Sequence, residues 1–314
     1  MRILFWGTPD FALPSLRALM GEGHEVVGVV TRPDRPAGRG RTLTPSPVRT
    51  VAEEEGIPVL TPERPRGEAF LAELRALEPE LSVVVAYGHI LDASVLDLPR
   101  LGSVNVHASL LPELRGAAPV NWALIRGRGE TGVTIMQMTE GLDAGPILLQ
   151  RRLPIEPGDS AGGLYLRLSE LGAEALIEAL ALMEIGGLEP MEQNHDLATY
   201  APKVDRETAR IRWGWPARQV ANQIRGMDPV PGAWSLLDGE PLKLFRPRVV
   251  EAPEDGGTES LPGTVLRADP EAGLVVRTRE GALRLDEVQP AGKRRMPAPA
   301  WLRGGGPSPG DRLV

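Results

Sequence analysis

The sequence contains no cysteine. Disulfides, thiolate nucleophiles and cysteine-based zinc sites are therefore excluded. Histidine is scarce, with four in 314 residues and no pair at metal-ligand spacing, so no metal is expected. No apolar run approaches the roughly 18 residues of a membrane span, so no membrane partner is expected. "MRILFWG" runs straight into a strand and reads as neither a signal peptide nor a transit peptide, which predicts a cytoplasmic location. The glycine fingerprint of dinucleotide binding is also missing. "FWGTPDF" (5–11) has one glycine where GxGxxG would stand, which disfavours NAD. Thr8 and Asp10 in that turn are expected to cap a helix.

What is present suits a two-domain protein with a sizeable core, since 42% of the 314 residues are apolar. The net charge of −7 speaks against a polyanion partner, yet it is unevenly spread. Residues 1–199 carry 17 basic and 27 acidic side chains, and residues 200–314 carry 18 and 15. Such asymmetry can mark a polyanion-binding half, although a small positive excess is also ordinary variation.

Strand-like and helix-like runs alternate over the first 187 residues. "RILFWG" (2–7), "EVVGVVT" (25–31) and "LSVVVAY" (81–87) are apolar on both faces, as buried parallel strands require. "SPVRTVAEEEG" predicts a helix with Ser46 as its N-cap and Pro47 at the first position. The pattern is that of a Rossmann-like α/β domain with a mostly parallel sheet. Residues 188–206 lack a strong period and read as a linker. Residues 207–314 hold a hairpin around Asp238-Gly239 and further short strands, which predicts an OB-like β-barrel domain.

The chemistry centres on "SVNVHASLLPELRGAAP" (103–119). Alternation by two puts Asn105, His107 and Ser109 on one face of an otherwise apolar strand, near the carboxyl end where ligands bind in open α/β sheets. Either the two polar groups are buried and satisfied by backbone, or they form an amide–imidazole pair that stabilises an oxyanion. Asp143, in the glycine-flanked "EGLDAG", either shapes a turn or orients a histidine. The loop 32–49 carries Arg32, Arg35, Arg39, Arg41 and Arg49 against one acid, Asp34. It is either a solvated loop or a phosphate-gripping arm.

These segments together resemble the methionyl-tRNA formyltransferases across essentially the whole chain. The resemblance rests on "GTPDF", "TRPDRPAGRGRTLTPSPV", "VVVAYG", "NVHASLLPELRGAAPVNWAL", "ETGVTIMQMTEGLDAG", "QPAGKRRM" and the ending "PGDRLV". The N-x-H…SLLP…D core is shared with other folate-dependent formyltransferases. The "DRPAGRG" loop and the C-terminal β-domain point to the tRNA enzymes. The resemblance implies a catalytic trio of Asn105, His107 and Asp143 and a 10-formyltetrahydrofolate co-substrate, without metal or NAD. It implies that Ser109, Leu110, Leu111 and Pro112 border the folate site. Backbone groups of Tyr87, Gly88, His89 and Ile90, with the loop 140–143, would hold the pteridine. It implies an initiator Met-tRNA partner gripped by Arg35, Arg39, Arg41, Lys203, Lys293, Arg294 and Arg295, with Arg210 and Arg212 beside them, and a monomer. Two departures stand out: His89 where many relatives carry an apolar residue, and Glu113-Leu114 where others often carry a basic-aromatic pair. A formyltransferase acting on a small amine would use the same trio but has no need of the Arg-rich loop or the β-domain.

Overall fold

In the computed structural model, which describes residues 1–37, 42–252 and 260–314, the apolar runs become neighbouring strands of one sheet. The chain runs through β1 (Arg2–Gly7), α1 (Leu13–Gly21) and β2 (Glu25–Val30) to a short hairpin of β3 (Arg35–Ala37) and β4 (Thr42–Thr44). It continues with α2 (Pro47–Glu54), β5 (Val59–Leu60), α3 (Glu68–Ala76), β6 (Leu81–Val85) and the short α4 (Ala93–Leu96). Then come β7 (Ser103–His107), α5 (Pro119–Ile125), β8 (Glu130–Gln137), β9 (Ile147–Pro154) and α6 (Ala161–Glu184).

The seven strands lie in the order β5-β2-β1-β6-β7-β8-β9. The sheet is parallel as far as β7, and β8 and β9 pair antiparallel. A loop rather than a helix joins β8 to β9, and only antiparallel neighbours can be linked so directly. Leu4, Trp6, Val30, Val84, Tyr87, Phe70 and Leu74 pack into a cluster on one face of the sheet. Ser46 caps α2 as the sequence predicts, its Oγ accepting from Arg49 N at 3.1 Å. Thr8 and Asp10 do not cap α1. A 3-10 turn (Asp10–Ala12) precedes that helix, and Thr8 Oγ1 instead donates to Tyr87 O at 3.2 Å.

The chain divides into two units that are not continuous in sequence. The first takes residues 1–119, 130–154 and 165–202; the second takes 120–129, 155–164 and 203–314. The linear division read from the sequence differs at two places. Residues 120–129 and 155–164 belong with the second unit because hydrogen bonds tie them there. Asn121 Nδ2 donates to Gly226 O at 2.8 Å, and Arg225 Nη1 donates to Pro157 O at 3.0 Å. Residues 191–201, read as linker, are laced to the first unit. Met191 pairs with Ile147, and Arg115 N and Ala201 N complete a short ladder between 115 and 199–201.

The second unit contains α7 (Ala217–Met227), β10 (Trp234–Leu237), β11 (Glu240–Val250), β12 (Val265–Asp269), β13 (Gly273–Arg277), β14 (Ala282–Pro290), β15 (Met296–Pro297) and α8 (Ala298–Arg303). Its antiparallel sheet has the order β10-β11-β14-β13-β12. Asp238 (φ 51°) and Gly239 (φ 82°) make the left-handed two-residue turn that a β10–β11 hairpin requires. The C-terminal residues bridge the two edge strands. Val314 exchanges hydrogen bonds with Leu236 on one side, and Leu313 N donates to Gly263 O at 2.9 Å on the other. The sheet curls around Val220, Ile224, Met227, Leu244, Leu274, Val276 and Leu283.

Candidate active site

The strand β7 ends where the sequence turns polar. Its Asn105 is half-buried, and its last residue, His107, is 6% exposed. The imidazole is fixed by backbone: His107 Nε2 lies 3.0 Å from Leu114 O. A carbonyl only accepts, so Nε2 must carry a proton, and Nδ1 is left as the nitrogen that can gain or lose one. Nδ1 faces Asp143 Oδ2 at 3.7 Å. That separation suits an ion pair but is too long for a hydrogen bond, so Nδ1 is not committed to the carboxylate. The same Oδ2 accepts from Gly116 N at 2.8 Å, which sets the rotamer of Asp143. The Asn105 amide makes no hydrogen bond to protein among the described residues.

Backbone in the left-handed region shapes the loops around this pair. Leu114 (φ 60°), Gly116 (φ 113°) and Asp143 (φ 45°) all lie there. A Cβ on Gly116 would stand 3.0 Å from Ala201 O, so the loop passes against 199–201 at glycine distance. The SLLP segment is held from below by Thr134, the β8 partner of His107. Thr134 Oγ1 donates to Ser109 O at 2.7 Å and accepts from Leu111 N at 3.1 Å. Gln150 on β9 adds a bond to Leu111 O at 2.9 Å. The loop that follows β7 is therefore fixed by hydrogen bonds, two of them buried. Among the described residues no group of three or more His, Cys, Asp or Glu side chains is arranged to hold a metal.

A formyl transferase family model matches residues 1–180, and a model of the formyl transferase C-terminal domain matches residues 203–306. A methionyl-tRNA formyltransferase of Pelobacter propionicus is 49% identical over 96% of this chain and 92% of its own length. One from Bacillus velezensis is 45% identical over 99% of this chain and 97% of its own. The chain belongs to the methionyl-tRNA formyltransferase family. This family uses formyl-tetrahydrofolate. The fold agrees with a solved structure of HypX from Aquifex aeolicus in complex with tetrahydrofolic acid, at a TM-score of 0.66 and 22% identity. The alignment covers 96% of this chain and 47% of that longer one.

The structure brings His107 and Asp143 together, with Asn105 two residues before His107 on β7, and sorts the other expected residues. Ser109 is fully buried, and its Oγ is engaged with Glu113 O at 2.6 Å. Leu111 packs with Met136 and Ile147, whereas Leu110 and Pro112 are half-buried. Tyr87 points into the core, its ring edge-on to Trp6 at 5.2 Å, and burial pushes its phenol up to about 12. Its side chain therefore lines no site. Gly88 (φ 85°) leads to half-buried His89 and to Ile90, which is 85% exposed.

Of the expected tRNA contacts, Arg39 and Arg41 lie outside the described residues. Arg35, Lys203, Lys293 and Arg294 are exposed. Arg210 lies over the Trp234 ring at 5.7 Å and Arg212 over Trp215 at 4.9 Å. Arg49 is engaged with Asp34 (3.1 Å) and Glu53 (2.7 Å). Arg295 is the correction. Its guanidinium grips Asp228 at 2.5 and 3.1 Å, pairs with Glu287 and covers the Phe245 ring at 3.9 Å. Its charge is neutralised inside the domain and is not free for phosphate.

Two positions that hold these loops in place carry no signal in the sequence. Leu114 serves through its carbonyl, which no side-chain pattern reveals. Gln193 lies in the unperiodic stretch "MEQNHD", and its partners are 48 to 78 residues away in sequence.

Proposed function

We propose that Asn105, His107 and Asp143 transfer the formyl group of 10-formyltetrahydrofolate to the α-amino group of methionine on initiator tRNA. The methionyl amine, as free base, forms the new C–N bond at the formyl carbon. The bond from that carbon to folate nitrogen then breaks, and the proton lost by the amine ends on that nitrogen. Between the two events the formyl oxygen carries negative charge. Asn105 Nδ2 and His107 Nδ1–H are the donors for that oxygen, and each such donor is typically worth about 10²–10³ in rate. Asp143 orients and charge-balances the imidazolium and helps take up the amine proton through water.

The observation that carries this reading is the division of labour on His107. Nε2 is anchored on Leu114 O, while Nδ1 makes no hydrogen bond among the described residues and lies beside Asp143. The surroundings fit a flat, partly apolar co-substrate. Ile90 and Leu142, the latter beside Asp143, are 85% and 56% exposed, which leaves apolar surface uncovered next to the pteridine-bordering segments. Exposed Arg35, Lys203, Lys293 and Arg294 supply the cations that a polyanionic acceptor needs. The reaction is placed in the cytoplasm, where charged tRNA is consumed. Among the described residues no helix is long and apolar enough to cross a membrane.

The test is formyl transfer from 10-formyltetrahydrofolate to charged initiator Met-tRNA and, separately, to small amines. Wild type and Arg39→Ala are run over a range of salt. Transfer to the tRNA, with Arg39→Ala weakened and less salt-sensitive, is expected. Transfer to a small amine only, with Arg39→Ala unchanged, overturns the tRNA assignment.

A further inference from the structure

We infer that Gln193 is a positioning residue for the reaction, acting through Asp143, and that buried Arg115 sets its amide. This inference rests on the catalytic reading of His107 and Asp143 given above.

Gln193 is 5% exposed and all of its polar capacity is used. Its Oε1 accepts from Arg115 Nε at 3.1 Å and from Arg115 Nη2 at 2.6 Å. Its Nε2 donates to Asp143 O at 2.9 Å and to Gly145 O at 2.8 Å. The amide orientation is unambiguous, because a guanidinium only donates and a carbonyl only accepts. One side chain thus joins the loop that carries Leu114 and Gly116 to the loop that carries Asp143.

Those two loops hold the partners of His107. Leu114 O fixes Nε2, and Gly116 N fixes the carboxylate that faces Nδ1. Arg115 stands between them in sequence. It is 4% exposed, and among the described residues its guanidinium has only neutral acceptors, Gln193 Oε1 and His195 Nδ1 (3.1 Å). A buried cation without a carboxylate is an expensive feature for a merely structural strut. Here it polarises the amide, which makes Nε2–H a stronger donor to the Asp143 and Gly145 carbonyls. Asp143 needs such a tether because its backbone sits at φ 45°, a conformation that persists only where the surroundings impose it.

The measurement is a double-mutant cycle on single-turnover formyl transfer, with Gln193→Ala, Asp143→Ala and the pair, alongside His107→Ala. Gln193→Glu is the second variant. It keeps the acceptor for Arg115 but has no N–H for the two carbonyls. Both Gln193 variants are expected to lower kcat about 10- to 100-fold, as a misplacement on the order of 1 Å does, with KM for both substrates within about threefold. Adding Gln193→Ala to Asp143→Ala is expected to cost nothing further, because the tether then has nothing to position. Full additivity in the cycle, wild-type kcat in Gln193→Glu, or a loss confined to KM would each overturn the inference. If His107→Ala retains wild-type kcat, the catalytic reading itself fails, and that result is distinct from a silent Gln193.

Discussion

Asp143 Oδ2 is shared between two groups: Gly116 N donates to it at 2.8 Å, and His107 Nδ1 faces it at 3.7 Å. The backbone bond holds the carboxylate still, so its charge rather than its own reach acts on the imidazole. Asp143→Asn keeps an oxygen for Gly116 N and removes only that charge. Single-turnover transfer is expected to fall on the order of 10²-fold or more, with the melting temperature nearly unchanged. A large loss of stability with intact transfer would assign Asp143 to turn formation alone.

Asn105 gives the converse prediction. Its half-buried amide makes no hydrogen bond to protein among the described residues, so Asn105→Ala breaks none. Stability is expected to hold or rise slightly, while the rate falls by about 10²–10³. A side chain serving only to satisfy the strand would show the opposite: lower thermal stability and unchanged transfer.

Tyr87 carries the clearest pH signature. Its hydroxyl is buried without a hydrogen-bond partner among the described residues, and burial raises the phenol from 10.0 to about 12. The folded chain thus holds this proton more tightly than the unfolded chain. The associated stability is complete below pH 10 and is lost as pH rises from 10 through about 12. Tyr87→Phe should diminish the late component of the phenolate absorbance titration, to which Tyr165, also raised by burial, still contributes. It should leave neutral-pH stability equal or higher, since an unsatisfied buried hydroxyl disappears. Marked loss of folate affinity in that variant would contradict its placement in the core.

Arg295 separates from its neighbours in the same test. Arg295→Ala leaves Asp228, which is 7% exposed, without its partner. We expect a loss of about 2 kcal/mol in unfolding free energy, allowing for the partial exposure of the pair. Lys293→Ala and Arg294→Ala, both fully on the surface, should leave unfolding unchanged and reduce the salt dependence of tRNA use. Denaturant unfolding of the three variants checks this directly.

The parts of the fold that follow from local chemistry were legible. Ser46 and Pro47 start α2, Asp238-Gly239 turns the β10–β11 hairpin, and the alternation of Asn105 with His107 survives in β7. Long-range placement was not. Nothing in "EGLDAG" says that Asp143 meets a histidine 36 residues earlier, and only the family resemblance joined the two. Arg295 reads as one more cation in "GKRR", yet Asp228 and Glu287 claim it from elsewhere in the chain. Gln193 and the stretch up to Ala201 look like linker because their order comes from hydrogen bonds to 112–118 and 143–147, not from any period of their own.

The most direct measurement is the single-turnover rate of formyl transfer to initiator Met-tRNA by His107→Ala, with both substrates saturating and folding checked by thermal melt. A folded variant slowed by about 10³-fold or more is the predicted result, since the donor on Nδ1 and the group balanced by Asp143 vanish together. A folded variant that transfers within about twofold of wild type would contradict the assignment of this site as the catalytic centre.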